Sequence, residues 1–402
     1  MKILQLCNKP PFPPIEGGPI AMNIITQALI KDGHVVKVLA VNSYKYFVDD
    51  KILPDDYKAK TNFEAVFVDL KIKYWNAFIN LFSHKSYHVE RFISKDFSNK
   101  IKQILKEQSF DIIQIETIFL APYIDLIRKY SRAKIILRAH NIEHLIWKRL
   151  AANTSNIIKK KYINHLATTL KNYELKSINN FDGVITISKT DCKYFIKKGC
   201  SVPIINIPFG IDNEIIDNNK VNNLHSDIPT LFYIGSMNWL PNQEGINWFI
   251  DNVWNEILQK NSKIKFNIAG RCMPNSFTQL NIPNINIIGE VDDAYQYISE
   301  NSIMIVPLFS GSGIRIKIIE GMMLGKPVIT TTIGAEGINY RDGHDIIIAN
   351  TAQEFVDSII KLFENPDMCK IIGQNARELI LVDHNMKYIT PKLIEFYQSL
   401  DN

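Results

Sequence analysis

Residues 303–331 read IMIVPLFSGSGIRIKIIEGMMLGKPVITT, and this stretch decides the fold prediction. An apolar run at Ile303–Leu308 leads through a Ser/Gly loop into a helical stretch at Gly313–Leu324, and a second apolar run follows at Pro327–Thr331. Strands that are apolar throughout and separated by helices are typical of a parallel sheet covered on both faces. The stretch therefore predicts one β-α-β unit of a doubly wound α/β fold.

The same alternation runs through nearly all of the 402 residues and starts afresh after a proline-containing junction at residues 203–212. The predicted strands are Lys2–Asn8, Val35–Val41, Ala65–Leu70, Asp111–Glu116, Lys134–Ala139, Gly183–Ser188 and Ile204–Ile207, then Thr230–Gly235, Lys265–Gly270, Ile285–Gly289, Ile303–Leu308, Pro327–Thr331 and Asp345–Ala349. The chain is long enough for two such domains. We predict two Rossmann-like domains facing a cleft, at residues 1–210 and 211–384, with a last helix at 385–402 that packs back on the first.

Composition excludes several other classes of protein. Five scattered cysteines without a CxxC pair argue against a disulfide scaffold or a zinc cluster and fit a reducing cytosol. No apolar run is long enough for a membrane span, and the first residues have too short an apolar stretch for a secretory signal. We therefore expect a cytoplasmic protein.

Charge is distributed unevenly along the chain. Residues 1–200 carry 32 Lys+Arg against 18 Asp+Glu, whereas the remainder carries 14 against 23. A basic first half suggests an anionic partner, and a phosphorylated lipid or membrane surface fits as well as nucleic acid. Lysines mix with large apolar residues at Lys71–Phe82 and Lys159–Tyr162, as they do in segments that rest on anionic headgroups. An ordinary solvated surface over a core helix remains the alternative.

Chemistry is expected where the loop at residues 310–313 meets the following helix. Loop glycines let backbone N–H groups approach a ligand, and a helix N-terminus attracts anions. Arg315 and Lys317 stand where the helix dipole disfavours cations, which makes sense if they hold a diphosphate. Glu320 lies further along the helix, where it could accept hydrogen bonds from a ribose. A plain loop and helix with surface charges is the alternative interpretation.

Ser310–Gly325, continuing into Lys326-Pro327-Val328-Ile329, resembles the donor-binding region of family 4 retaining glycosyltransferases of the GT-B fold. That family commonly reads E-G-F-G-x-x-x-x-E-A-M-A-x-G-x-P-V-I there. The resemblance places Glu320 on the second Glu, which binds the nucleotide ribose, and Gly313 on a loop glycine. Ser312 replaces the first Glu, which usually holds the donor sugar.

The resemblance extends to other strand ends of the second domain. The family often supplies phosphate-binding Arg and Lys after the first strand, but here Gly235 is followed by Ser-Met-Asn-Trp without a cation. We infer that Arg315 and Lys317 take over that charge. Arg271 and Val291 match positions where the family cradles the base and the diphosphate.

In the first domain, Glu16, Gly17 and Gly18 stand where the family has a Gly-rich loop beside the phosphates and the acceptor, although a plain β–α turn would read the same. His140 follows the strand Lys134–Ala139, and the family has a His there that contacts the donor sugar; a capping histidine is the alternative. Glu116 ends another strand, where it could either contact the acceptor or be a structural carboxylate. The turn lacks GxGxxG, which disfavours a dehydrogenase.

The resemblance implies an enzyme that moves a sugar from a UDP-sugar or GDP-sugar to a glycan or lipid-linked acceptor with retention of configuration. His140, Arg315 and Lys317 would be its catalytic residues. We expect no further cofactor, no nucleic-acid partner and, since no Asp-x-Asp stands at a strand end, no metal. The family's setting is glycan assembly in a bacterial envelope, with peripheral membrane contact through the basic first domain. A nucleotide-sugar epimerase and an inactive scaffold subunit remain as alternatives.

Overall fold

The computed structural model describes residues 1–49, 51–73, 75, 79–212, 214–215, 230–311 and 313–400. It divides the chain into two compact units. The first comprises Met1–Gly210 together with the segment from Met386 onward, and the second comprises Ile211–Asn385.

The first unit is built on a sheet in which every described strand pairing is parallel. Its strands are β1 Lys2–Cys7, β2 Val35–Asn42, β3 Glu64–Phe67, β4 Ile112–Ile115, β5 Lys134–Ala139, β6 Gly183–Thr186 and β7 Ile204–Asn206. Across the part of the sheet that the structure describes, the order is β3-β2-β1-β4-β5-β6-β7. The chain moves outward from β1 and then returns to its other side at β4. Open α/β sheets bind ligands at the carboxyl edge beside such a reversal.

Helices cover both faces of this sheet, which explains why its strands are mostly apolar on both faces. They are α1 Gly17–Lys31, α2 Asp55–Thr61, α3 Tyr87–Glu90, α4 Lys95–Glu107, α5 Ile124–Tyr130, α6 Glu143–Ala152, α7 Ile157–Ser177 and α8 Lys189–Lys197, with 3₁₀ turns at Ile118–Tyr123 and Ile178–Asn180. Ile3 and Leu4 are both fully buried, in apolar clusters on opposite faces. The stretch Val89–Gln108 does not form a single helix, because the Ser94 side chain accepts from Phe97 N and starts α4 there.

The second unit repeats the parallel pattern. Its strands are β8 Thr230–Ile234, β9 Lys265–Ala269, β10 Ile285–Gly289, β11 Ile303–Val306, β12 Val328–Thr330 and β13 Ile347–Ile348. Their order in the described residues is β10-β9-β8-β11-β12-β13, so the reversal lies between β8 and β11. The predicted strands of both units are thus confirmed, and so is the doubly wound fold class.

Helices of the second unit pack on both sides of its sheet. They are α9 Leu240–Phe249, which continues through a π-helical turn at Ile250–Trp254 into α10 Asn255–Lys260, then α11 Asn275–Thr278, α12 Ala294–Glu300, α13 Ile316–Met323, α14 Ala352–Glu364 and α15 Pro366–Asp383. A Cβ on Gly245 would lie 2.0 Å from the carbonyl oxygen of Pro307. Glycine therefore lets α9 pack directly against the end of β11.

The last helix, α16 Met386–Ser399, contains Pro391 and lies in the first unit. A Cβ on Gly183 of β6 would lie 3.0 Å from Phe396 Cζ, so the helix packs closely on the sheet. The Tyr397 hydroxyl donates to Gln114 Oε1 in the core of the unit. Over the described part of the chain, none of the helices has the length and apolar character needed to cross a bilayer.

Candidate functional site

Three glycines form a close-packed backbone surface at the carboxyl edge of the second sheet. A Cβ on Gly270 would lie 2.0 Å from the carbonyl oxygen of Gly235, and Gly270 N donates to the carbonyl of Gly289 at 2.7 Å. Gly235 N in turn donates to Ala269 O at 3.2 Å. The ends of β8, β9 and β10 therefore approach each other more closely than residues with side chains would allow. These strand ends therefore offer backbone groups, and no side chains, to a ligand.

Lys317, in the first turn of α13, extends to this surface. Its Nζ donates to the Tyr233 hydroxyl at 2.7 Å and to Asn242 Oδ1 at 2.9 Å, and it lies 4.3 Å from the Tyr233 ring centroid. A Cβ on Gly235 would lie 2.5 Å from this Nζ, so glycine at this position makes room for the ammonium. An ammonium has three N–H donors, and these contacts use two. The structure thus holds a positive charge beside the end of β8, with donor capacity left for a ligand.

The pKa of Lys317 is lowered well below its ordinary value. Burial is the main cause, the nearby Arg315 charge adds to it, and Glu320 opposes both. Burial has removed much of the hydration that stabilises the charged form of this lysine. An anion that binds beside it therefore stabilises the charge more than it would stabilise the charge of a solvated lysine.

Arg315 occupies a different place from the predicted one. The helix was expected to begin near Gly313, but α13 begins at Ile316, and Arg315 is its N-cap residue with extended backbone. The reason is local: Gly311 and Gly313 have φ values of 101° and 81°, in the left-handed region that glycine tolerates and a helix excludes.

The Arg315 side chain turns back onto its own loop. The residue is only 6% exposed, and its guanidinium donates to the Gly313 carbonyl at 2.7 Å and lies 5.3 Å from the Trp239 ring. A Cβ on Gly311 would lie 2.8 Å from that ring. Arg315 therefore braces the glycine loop while keeping its charge near Lys317. Ser312 lies outside the described residues.

Glu320, one turn beyond Lys317, has a tyrosine partner. Tyr295 of α12 donates its hydroxyl to Glu320 Oε1 at 3.2 Å. Burial raises the pKa of Glu320 to about 7, although the hydrogen bond from Tyr295 and the Lys317 charge act in the opposite direction. Neither Tyr233, Asn242 nor Tyr295 was among the predicted site residues.

Arg271 and Val291 are less tightly built into this edge. Arg271 follows β9, its side chain is 44% exposed, and its Nε lies 2.9 Å from Glu290 Oε1. Its carbonyl accepts from Met237 N at 2.8 Å, which ties together the loops after β8 and β9. Val291 is the half-buried residue next to Glu290. Both lie on the predicted loops, but within the described contacts neither side chain touches Lys317.

In the first unit, Glu116 follows β4 and its side chain has no exposed surface. Its carboxylate accepts from Gln5 at 2.6 Å, from Gln114 at 2.5 Å and from Arg138 at 3.0 Å. His140 Nε2 lies 2.7 Å from the same carboxylate. The carboxylate is covered by its own donors, which fits the structural alternative for Glu116, while its acceptor contact stays a prediction. In this arrangement Glu116 positions the residues around it.

His140 lies in front of Glu116, with 14% of its side chain exposed. Burial alone would raise the pKa of Glu116, but the Arg138 charge and the hydrogen bond from His140 lower it to about 2. Burial and the Arg138 charge lower the pKa of His140. A carboxylate only accepts, so the neutral imidazole carries its proton on Nε2 and leaves Nδ1 as an acceptor. His140 is thus fixed at the carboxyl end of β5, and Arg138 was not among the predicted site residues.

The predicted Gly-Gly turn lies at the start of α1, which begins at Gly17 with Glu16 as its N-cap residue. A Cβ on Gly18 would lie 2.9 Å from Cε of Lys9, and Lys9 Nζ lies 3.7 Å from Glu16 Oε2. The Lys9 charge is among the causes that lower the pKa of His140. The sequence prediction missed Lys9, although its place just after β1 follows the same strand-end rule that selected His140.

Two doubly wound parallel sheets, each with polar side chains at the carboxyl edge of its reversal, define the GT-B class of fold. Residues 228–365 match the family model described as "Glycosyl transferases group 1". Among the described residues, no group of three or more His, Cys, Asp or Glu side chains could hold a metal ion.

Of two similar proteins, one is described as a glycosyltransferase. A Klebsiella pneumoniae protein described as an uncharacterized 44.6 kDa protein in the cps region is 24% identical over 96% of this chain and 97% of its own length. A Methanocaldococcus jannaschii protein described as an uncharacterized glycosyltransferase is 25% identical over 75% of this chain and 81% of its own.

Solved structures share the fold over the whole length. Sucrose-phosphate synthase from Thermosynechococcus elongatus superposes with a TM-score of 0.72 at 16% identity, covering 100% of this chain and 99% of that one. HepE from Anabaena, solved with UDP and glucose, gives 0.65 at 16% identity, covering 99% and 100%. Together with the family match, these findings support a glycosyltransferase of the GT-B type.

Proposed function

We propose that this protein is a retaining glycosyltransferase that transfers a sugar from a UDP-sugar or GDP-sugar to a glycan or lipid-linked acceptor. The observation that carries the proposal is Lys317: a partly buried ammonium, fixed by Tyr233 and Asn242, beside a strand end that Gly235 keeps free of side chains. A nucleoside diphosphate brings the negative charge that this site lacks.

In this proposal the second unit binds the donor. Lys317 stabilises the departing diphosphate, and one such contact is worth about 2–4 kcal/mol of barrier. Arg315 keeps the glycine loop in shape and adds its charge. Glu320 accepts from the ribose, while Arg271 and Val291 lie along the path of the base and diphosphate.

The reaction needs few chemical groups from the protein. The bond from the anomeric carbon to the phosphate oxygen breaks, and the acceptor oxygen forms its bond on the same face of the sugar. The departing phosphate oxygen takes the acceptor proton, so no metal is required in this scheme. His140 contacts the donor sugar near the reacting carbon and is held in one orientation by Glu116.

The relatives support the choice of donor and setting. HepE was solved with UDP and glucose, and the Klebsiella pneumoniae relative is described by its place in a cps region. We therefore put UDP-sugars first among donors and a polysaccharide or its lipid-linked precursor first among acceptors.

Peripheral membrane contact is a further part of the proposal. At the start of α7, Ile157 and Ile158 are 70% and 82% exposed and are followed by Lys159, Lys160 and Lys161. Apolar side chains beside lysines suit the interface of an anionic bilayer. The other predicted stretch, Lys71–Phe82, includes residues 74 and 76–78, which lie outside the described residues. In sedimentation with phosphatidylglycerol vesicles, the Ile157→Ser/Ile158→Ser variant should bind at most half as much as the wild-type protein. Equal binding of the two proteins would contradict this contact.

The test of the enzymatic proposal is a thermal-shift screen with UDP-, GDP- and ADP-sugars, since a ligand that binds only the folded state raises its stability. The donor found is then incubated with candidate acceptors, and the anomeric configuration of the product is read by NMR. An inverted product would contradict retention. Free UDP with a 2-epimerised sugar in the absence of acceptor would favour an epimerase, and no binding of any nucleoside diphosphate would favour a scaffold subunit.

A further inference from the structure

Lys9, in the loop after β1, lies in a cluster that the sequence motifs do not include. Its side chain is 17% exposed, and its Nζ lies 4.5 Å from the centroid of the Tyr46 ring. On its other side, Gly18 leaves just enough room, because a Cβ there would lie 2.9 Å from Lys9 Cε and 3.1 Å from its Nζ. A glycine at position 18 is therefore needed to make room for the Lys9 side chain.

The charge of Lys9 is only loosely compensated. Glu16 Oε2 lies 3.7 Å from Lys9 Nζ, which is longer than a hydrogen bond, and it already accepts from the Tyr46 hydroxyl at 3.1 Å. Within the part of the chain that the structure describes, Lys9 Nζ makes no hydrogen bond. Lys45 lies 4.9 Å from the same Tyr46 ring, so two cations flank one tyrosine. A largely covered ammonium with open donors has the properties of an anion site waiting for a stronger acceptor.

The position of Lys9 connects this cluster to the candidate site. Lys9 follows β1, which neighbours β4 at the reversal of the first sheet. Its charge lowers the pKa of both His140 and Glu143, acting together with burial and the Arg138 charge on His140 and against burial on Glu143. For Glu143 the main influence is burial, which raises the pKa to about 8. Lys9 therefore shares the carboxyl edge with His140.

We propose that Lys9 Nζ binds a phosphoryl oxygen of a substrate at the carboxyl edge of the first sheet, and that Glu16 takes the place of this anion when the substrate is absent. On binding, the phosphoryl group replaces the Glu16 carboxylate as the partner of Lys9. Glu16, which is 38% exposed, turns to solvent. This assignment rests on the proposed function for the identity of the substrate, because a phosphoryl group is present on the nucleotide-sugar donor and on a lipid-phosphate acceptor.

A direct test observes Lys9 itself. Lysines are reductively methylated with ¹³C, and the Lys9 signal is assigned by its loss in Lys9→Arg. The protein carries Lys317→Met so that the second unit contributes less to anion binding. We expect inorganic pyrophosphate to shift the Lys9 signal in a saturable way and to leave Lys45 almost unmoved. UDP-glucose and hexyl phosphate are then titrated separately, and the one that shifts Lys9 identifies donor or acceptor as the source. No shift with any of the three probes would overturn the proposal.

Kinetics with otherwise unaltered protein supply the second readout. Lys9→Met should raise the KM of the phosphorylated substrate identified above at least about fivefold, and Gly18→Ala should do the same by displacing Lys9. Glu16→Gln should lower that KM, because it removes the competing carboxylate. Lys45→Met is the matched control, since it removes an exposed cation from the same tyrosine ring, and it should change KM less than twofold. Equal KM values for wild type and Lys9→Met would overturn the proposal. If the Lys9 signal responds but the protein with its native Lys317 transfers sugar from none of the donors, the proposed function is refuted and the anion site stands.

Discussion

Replacing Lys317 by Met removes one charge at the edge of the second sheet and keeps most of the side-chain volume. The ammonium donates to Tyr233 and Asn242, and these two contacts aim it at the strand end beside Gly235. If this charge faces a diphosphate that becomes more negative as the sugar departs, its loss is felt more in the transition state than in the ground state.

The size of the effect follows from the contact removed. A donor to a developing oxyanion contributes about 2–4 kcal/mol, which corresponds to a fall in kcat of about 30- to 1,000-fold. Folding should change much less. The variant leaves Asn242 Oδ1 without its lysine donor, at a cost of about 1–3 kcal/mol, but it also relieves the repulsion between Lys317 and Arg315.

The assay is initial-rate transfer from the donor found by thermal shift, with urea denaturation of the same variants. Lys326→Met is the matched control, because Lys326 is a second half-buried lysine of this unit, whose Nζ donates to the Ser299 carbonyl at 2.8 Å. Burial lowers the pKa of Lys326 to about 8. The control should lose comparable stability and keep kcat. If Lys317→Met retained its rate within twofold of wild type, or if both variants lost rate in proportion to stability, the role assigned to Lys317 would be wrong.

His140→Ala should abolish transfer while thermal shift still detects the nucleotide, since the imidazole is assigned to the sugar; lost nucleotide affinity would contradict this. Glu116→Ala should lower the free energy of unfolding by about 3–5 kcal/mol in urea, because it leaves the buried Arg138 charge unpaired, and Glu116→Ala/Arg138→Met should recover part of the loss. A double variant no more stable than the single one would refute the pairing. Burial raises the pKa of Glu320 to about 7 from an ordinary 4.5, so the folded protein keeps a proton that the unfolded chain releases. Stability is therefore lost as pH rises between about 4.5 and 7, and Glu320→Gln should raise Tm more at pH 8 than at pH 5; an equal gain at both would refute the shift.

The strands were predictable because burial on both faces leaves a simple pattern. The run Ile303–Val306 is apolar at every position, and Ile112–Ile115 departs from this only at Gln114; the structure buries both runs completely. Helix α12 has a start signal in the sequence, because the Asp293 side chain accepts from Tyr295 N and Gln296 N in the first turn. Helix α15 has a weaker sequence pattern, because its buried face consists of Ile372, Gly373, Ala376 and Ile380, and two of these four residues are too small to give an apolar signal.

The site was harder to predict, because the identity of a residue at a strand end does not tell how deeply its side chain is buried. Glu116 and His140 both follow strands, and from the sequence either could contact a substrate. The structure separates them through Arg138, which points from β5 to Glu116 and completes the cover over that carboxylate. The side chain that covers Glu116 comes from the neighbouring strand, so the sequence around Glu116 or His140 alone does not tell which of the two remains accessible.

Gly235 was predicted to be a donor-site residue, and the structure gives a steric reason for a glycine at this position. Gly235 was selected because related enzymes carry donor-binding residues after this strand, and Arg315 and Lys317 were inferred to supply the charge that is missing there. Lys317 is 84 residues away from Tyr233, its partner on β8, yet its Nζ would lie 2.5 Å from a Cβ at position 235. A side chain after β8 and an ammonium from α13 therefore compete for one place. Glycine at 235 is the condition under which the helix, instead of the loop, can supply the charge.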